Sequence, residues 1–206
     1  MHNDIGFRRF VTFSDAVAAI AITLLVLPLV DAANKIGDAS LHTFFDDNKN
    51  GLLAFALSFA VIGSFWWGQH QLLRGVEEYN GVLVAGMFLW LAAIVFLPLP
   101  TELIGAGQLS TRSIHVLYVA TMLVAAFAEL VQQWATVHWP ELRRDPDVDG
   151  VTIDSTLITT VLMAVVLIVC ITAPSIGLWS LLLLLAVRPL HRLGAWRRKK
   201  RAAHVA

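Results

Sequence analysis

The stretch "RRFVTFSDAVAAIAITLLVLPLV", residues 8 to 30, sets Arg8, Arg9, Ser14 and Asp15 at the mouth of an otherwise apolar run. A carboxylate on a membrane helix must face a protein interior or water and find a partner, so Asp15 is expected to be bonded within a helical bundle. If the helix begins there, Ser14 and Asp15 instead cap exposed amides with the help of the helix dipole. A second polar group, Glu129, Gln132 and Gln133, interrupts another apolar run, with Glu129 and Gln133 one turn apart on one face. It has two chemical readings, a proton or ion relay and interhelical hydrogen bonding or contact with a wet cavity. The second carries more weight, because buried polar groups in helical bundles mostly bond to neighbours.

Other chemistry is missing. His70, His115 and His138 fall near the ends of different apolar segments without metal-ligand spacing, and the single cysteine, Cys170, sits inside an apolar run. There is no Walker-type phosphate loop, no His-Glu-x-x-His zinc motif and no Gly-x-Ser-x-Gly elbow. No enzymatic activity, cofactor or resident metal is expected.

The elements that would position these groups follow from composition. Hydrophobic residues make up 57% of the chain and charged ones only 15%, against roughly a quarter charged in soluble domains. This is the composition of an integral membrane protein. A bilayer core of about 30 Å needs roughly 20 helical residues. Six spans are expected, at Phe10–Val30, Gly51–Gln69, Gly81–Leu99, Ser113–Val137, Ile153–Ala173 and Pro174–Val187, the last short and dependent on snorkelling of Arg188 and Arg192. Pro174 and Gly177 predict a tight hairpin between the fifth and sixth. Residues 8 to 30 are too long and wrongly flanked for a cleaved signal peptide and are expected to be retained.

Basic residues divide unequally between the two sides. With the amino terminus inside, twelve lie on the inner side (Arg8, Arg9, Arg74, Arg143, Arg144, Arg188, Arg192, Arg197, Arg198, Lys199, Lys200 and Arg201) and three outside (Lys35, Lys49 and Arg112). Both termini are therefore expected in the cytoplasm. The outer loop is acidic, through Asp31, Asp38, Asp46 and Asp47. The basic tail "HRLGAWRRKKR", directly after a span, reads as a topology signal and anionic-lipid contact rather than a nucleic-acid patch. The fold class expected is all-α, a single six-span domain over residues 1–206 with no internal repeat. The tryptophans lie mostly near span ends, as an interfacial belt requires.

On the first span, Ile20, Leu24 and Leu27 recur at spacings of four and three and share a stripe, with Thr23 beside them and Ala16 one turn below. Asp15 points roughly the other way. The run Arg9, Phe13, Ser14, Asp15 ("RxxxFSD"), followed by "AIAITLLVL", resembles the signature of the transmembrane-protein-175 family of lysosomal and bacterial potassium-conducting channels. "FWWGQHQLLRGVEEYN" at 65–80, with Trp67 three residues before His70, and "FLPLPTEL" at 96–103 are similar to that family's second-span and third-span endings.

The resemblance implies a homotetramer of six-span subunits in a bacterial inner membrane, with a central pore lined by the first helix. It implies a hydrophobic constriction at Ile20, further apolar layers at Leu24 and Leu27, and a selectivity hydroxyl at Thr23. Arg9, Phe13, Ser14 and Asp15 would lock the first helix to its neighbours, with Trp67 and His70 as partners. Potassium would be the permeant ion, modestly preferred over sodium, since nothing is similar to the TVGYG carbonyl filter. Pro28 departs from the pattern, standing where bacterial relatives often carry a glutamate, and reads as a helix end or kink. Two other readings stay open on the residues alone. One is a proton-coupled transporter using Glu129, His70 or Asp15, which would be expected to show broken mid-membrane helices and an internal repeat. The other is a non-conducting scaffold, in which the stripe is ordinary packing.

Overall fold

The computed structural model describes residues 2–35, 40–106, 111–143 and 153–172. The described residues form eight α-helices: α1 (His2–Leu24), α2 (Leu27–Asn34), α3 (Leu41–Asp47), α4 (Lys49–Leu73), α5 (Gly81–Phe96), α6 (Pro98–Ala106), α7 (Thr111–His138) and α8 (Ile153–Thr172), with a 3₁₀ turn at Pro140–Leu142. Four stretches, Gly6–Asn34, Lys49–Leu73, Gly81–Ala106 and Arg112–His138, are long and apolar enough to cross a membrane, and α8 is apolar but shorter. The chain is thus an all-helical, multi-pass membrane protein. The expected sixth span Pro174–Val187, its hairpin and the basic tail lie outside the described residues.

Two spans are broken by proline. Pro28 has no N–H to continue the ladder, and the N–H groups of Leu25 and Val26 turn back to the carbonyls of Ile22 and Thr23, each at 3.3 Å, separating α1 from α2. The expected third span ended at Leu99, yet helix continues to Ala106, because Pro98 opens α6 in a first turn, where the missing N–H costs nothing. At this break the Leu97 N–H is shared between the carbonyls of Ala93 and Ile94, at 3.1 and 3.3 Å. The Leu97 carbonyl accepts from the Thr101 hydroxyl at 2.8 Å. Ser58 of α4 bonds Thr101 at 2.8 Å and Tyr118 of α7 at 3.1 Å. Three buried hydroxyls therefore tie the break in the third span to its neighbours on both sides.

The first helix starts at His2, well before the expected Phe10. Phe7 anchors the added turns: it is buried among Leu72, Leu73, Val76, Leu83, Met87 and Ala135 and stacks on Tyr79 at 5.7 Å between centroids. Ser14 and Asp15 consequently lie three turns inside a continuous helix and cap nothing.

At the centre, α7 packs against both α5 and α8. Its fully buried alanines, Ala125, Ala126, Ala128 and Ala135, let neighbouring backbones approach closely, which is how helices associate where lipid is as apolar as leucine. Gly86 of α5 completes the fit. A Cβ there would stand 2.7 Å from Cγ of Gln132, and only glycine leaves room. The main core gathers Ile62, Phe65, Trp90, Ile94, Tyr118 and Met163 between α4, α5, α7 and α8. At one rim, residues of the α4–α5 and α7–α8 loops pair. Val76 and Arg143 form an antiparallel bridge, and the Leu142 carbonyl accepts from the N–H groups of Glu77 and Glu78 at 3.0 and 3.4 Å. Those two loops therefore share one side of the membrane.

Candidate functional site

α1 has two unlike faces. Ser14, Ala18, Ala21 and Leu25 are buried and turn to the bundle, where α1 lies against α4 and α5. Opposite them, Phe13, Ile20 and Leu24 are 52%, 57% and 43% exposed, Leu27 at the start of α2 is 54% exposed, and Arg9, Ala16 and Thr23 are exposed with them. The exposed positions follow a heptad. Phe13, Ile20 and Leu27 repeat every seven residues in one column, and Arg9, Ala16 and Thr23 repeat in the column beside it. This alternation of four and three is the seam by which helices pack around a common axis.

Ala16 and Thr23 are the smaller members of the seam. The Thr23 hydroxyl donates to the Ile20 carbonyl at 2.7 Å. With its proton committed to the helix, the oxygen presents only lone pairs, so it acts as an acceptor. At the other end of the exposed face Arg8, Arg9, Thr12, Phe13 and Ala16 line a shallow open groove.

Asp15 lies on neither face but at the flank toward α4, where its Oδ1 accepts from the Trp66 indole N–H at 2.8 Å. Trp66 stacks on His70, with centroids 5.5 Å apart, and His70 also lies 6.2 Å from the Trp67 ring. The indole bonded to the carboxylate thus belongs to Trp66, one position before Trp67. Ser14 donates to the Phe10 carbonyl of its own helix at 3.0 Å. Asp15, Trp66, Trp67 and His70 are brought together. Arg9 and Phe13 instead stand on the exposed face with Ile20, a grouping that a heptad template would have extracted from the sequence.

The second polar group is internal to the bundle. Gln69 of α4 donates to Oε1 of Gln132 at 2.6 Å, and Gln132 donates to the Ala128 carbonyl at 3.2 Å. Glu129 faces Gly68, where a Cβ would approach Oε1 to 3.2 Å. The interhelical-bonding reading describes Gln132. Gln69, its partner, was not singled out from the sequence, although its place one turn before Leu73 on an apolar helix marked it as a buried amide. Among the described residues no three His, Cys, Asp or Glu side chains are placed to hold a metal ion.

A bundle of helices long and apolar enough to cross the bilayer, with an apolar face of its first helix left uncovered, is a multi-pass membrane protein. Comparison with known proteins makes the class specific. The family described as endosomal/lysosomal potassium channel TMEM175 matches residues 9–98. A potassium channel of Streptomyces collinus is 30% identical over 145 residues, covering 69% of each chain. A potassium channel of a Chryseobacterium species is 32% identical over 109 residues, 52% of this chain and 53% of that one. The fold is similar to the crystal structure of a lysosomal potassium-selective channel TMEM175 homolog from Chamaesiphon minutus, with a TM-score of 0.71 at 23% identity over 89% of this chain and 96% of that chain. The chain belongs to the TMEM175 family.

Proposed function

We propose that this protein is a potassium-permeable channel of the bacterial inner membrane, a homotetramer with both termini in the cytoplasm and a central pore lined by α1. The observation that carries the reading is the uncovered face of α1, apolar at Phe13, Ile20 and Leu24 and continued by Leu27 at the start of α2, set on a helix whose other face is packed. Membership of a family described as potassium channels, and relatives named as such, support the permeant ion.

Four copies of the seam around an axis put a ring of Ile20 side chains at the narrowest level, with Leu24 and Leu27 forming further rings. Such a constriction excludes water and gates by dewetting, passing cations only when widened. Selectivity is modest on this mechanism. Potassium sheds part of its hydration at lower cost than the smaller sodium ion, and the Thr23 oxygen, an acceptor with its proton already engaged, offers partial compensation. Asp31, Asp46 and Asp47, all exposed at the expected outer side, concentrate cations near the mouth over about a Debye length, ~10 Å at 0.1 M salt. Of the residues a transporter reading would use, Glu129 faces Gly68 of a neighbouring helix and Asp15 is held by Trp66, both away from the seam.

The test is cation flux from liposomes holding the purified protein, in potassium and then sodium gradients, with Ile20→Asn beside the wild type. Wild-type flux that favours potassium, and an increased or less selective flux in the variant, uphold the reading. Two folded proteins that conduct at no voltage would remove it.

A further inference from the structure

We propose that Arg9 makes the channel rectify. Four Arg9 guanidiniums around the axis form a positive ring at the inner mouth, which depletes potassium there and favours inward over outward current. The ring requires four α1 helices lining one pore with their amino ends in the cytoplasm, as in the function proposed above.

Arg9 stands one heptad before Ala16 and two before Thr23 in their column of the seam, and is exposed with them. Among the described residues no hydrogen bond or ion pair engages its guanidinium. Asp15, the carboxylate in the apolar part of the same helix, is held by Trp66 at 2.8 Å on the flank toward α4 and gives Arg9 no counterion. Arg9 also borders the open groove formed with Arg8, Thr12, Phe13 and Ala16, so its charge faces open space rather than packed protein. The charged residues described at the rim, Arg74, Glu77, Glu78, Glu141 and Arg143, belong to the segments after α4 and α7. Every other member of the seam is uncharged, so Arg9 sets the sign of its inner end.

A positive ring at the mouth of a cation pathway lowers the local cation concentration within a Debye length, ~10 Å at 0.1 M salt and ~3 Å at 1 M. Arg9 precedes Ile20 by eleven residues, about 16 Å along a helix rising 1.5 Å per residue. The ring therefore acts on the mouth and is screened from the constriction. Outward-moving potassium starts from the depleted inner mouth, whereas inward-moving potassium starts from the side where Asp31, Asp46 and Asp47 are exposed. Sodium and potassium carry the same charge, so the ring sets the direction of flow and leaves the preference between them to the constriction.

Inside-out patches from expressing cells keep the sidedness of the membrane and test the ring, with potassium chloride at about 0.1 M on both faces. The wild type is expected to pass about twice as much inward as outward current at equal and opposite voltages. Raising N-methylglucamine chloride to about 1 M on the cytoplasmic face alone screens the ring and not the outer aspartates, so outward current should rise at constant potassium. Arg9→Gln should lower the ratio and lose the response to inner salt, while Arg9→Lys, which keeps the charge on a different shape, should retain both. A merely structural role for Arg9 would not follow salt on one face. A wild-type ratio of one, an outward current that does not rise with inner salt, or an Arg9→Gln variant that behaves as the wild type overturns the proposal. The first two results need no substitution, so they decide even if a variant does not fold. A wild type that conducts potassium at no voltage is a different failure, because it removes the channel and the role of Arg9 with it.

Discussion

The indole of Trp66 donates to Asp15 Oδ1 at 2.8 Å, joining the middle of α1 to α4. The bond holds the carboxylate in the apolar part of α1 at the flank between its two faces, and so fixes how far the helix is rotated about its axis. Any turn that offered Asp15 to lipid would break the bond.

Trp66→Phe and Asp15→Ala should therefore each destabilise the protein in detergent, and the double variant should be less unstable than the two effects summed. The coupling expected from the cycle is about 0.6–2 kcal/mol, the range of interhelical hydrogen bonds in membranes. Trp67→Phe, at a neighbouring exposed indole, should show no coupling to Asp15.

Disulfide crosslinking tests the seam directly. On a background lacking Cys170, Ile20→Cys and Phe13→Cys should form dimers on mild oxidation in membranes. Ala18→Cys, on the buried face of the same helix, should not. Dimers from Ala18→Cys at the same rate would mean that α1 faces its partner differently.

Thr23 offers a prediction on selectivity. Thr23→Val keeps the volume and removes the oxygen, so the potassium-to-sodium flux ratio should fall toward one. Thr23→Ser keeps the acceptor and should hold the ratio near that of the wild type.

Gly86→Ala should cost about 1–3 kcal/mol, the range for overpacking, because its Cβ would stand 2.7 Å from a buried Gln132 held by Gln69. Gln132→Ala in the same chain should recover part of the loss. Gly63→Ala, which meets nothing within 4 Å, should be neutral or slightly stabilising, since alanine is the better helix former. Denaturation midpoints of the three variants check the set.

What was legible in the sequence, and what was not, divides along physical lines. The Ile20, Leu24 and Leu27 stripe emerged from period alone, because a helix half packed and half uncovered must sort its residues every 3.6 positions. The partner of Asp15 did not emerge. Trp66 and Trp67 are adjacent in sequence, but one residue turns a helix by about 100°, and only the rotation of α4 against α1 decides which indole arrives. Grouping Arg9 and Phe13 with Asp15 as one motif hid their membership of the seam, since neighbours in sequence point in different directions on a helix. The start of α1 was set too late, because His2 to Arg9 look polar; helix propensity does not end at the membrane surface, and Phe7 has a pocket to fill. The third span was ended at Leu99, just before Pro100, whereas Pro98 opens a helix that carries on to Ala106.

The bridge between Val76 and Arg143 has a consequence for biogenesis. A ribosome delivers the α4–α5 loop long before the segment that follows α7, so the two strands of the bridge cannot meet until α7 has crossed the bilayer and returned its carboxyl end to the same leaflet. The pairing is then a latch that closes only on a correctly threaded chain. A subunit with one span skipped would leave the Leu142 carbonyl on the far side of the lipid, and the rim open to quality-control proteases.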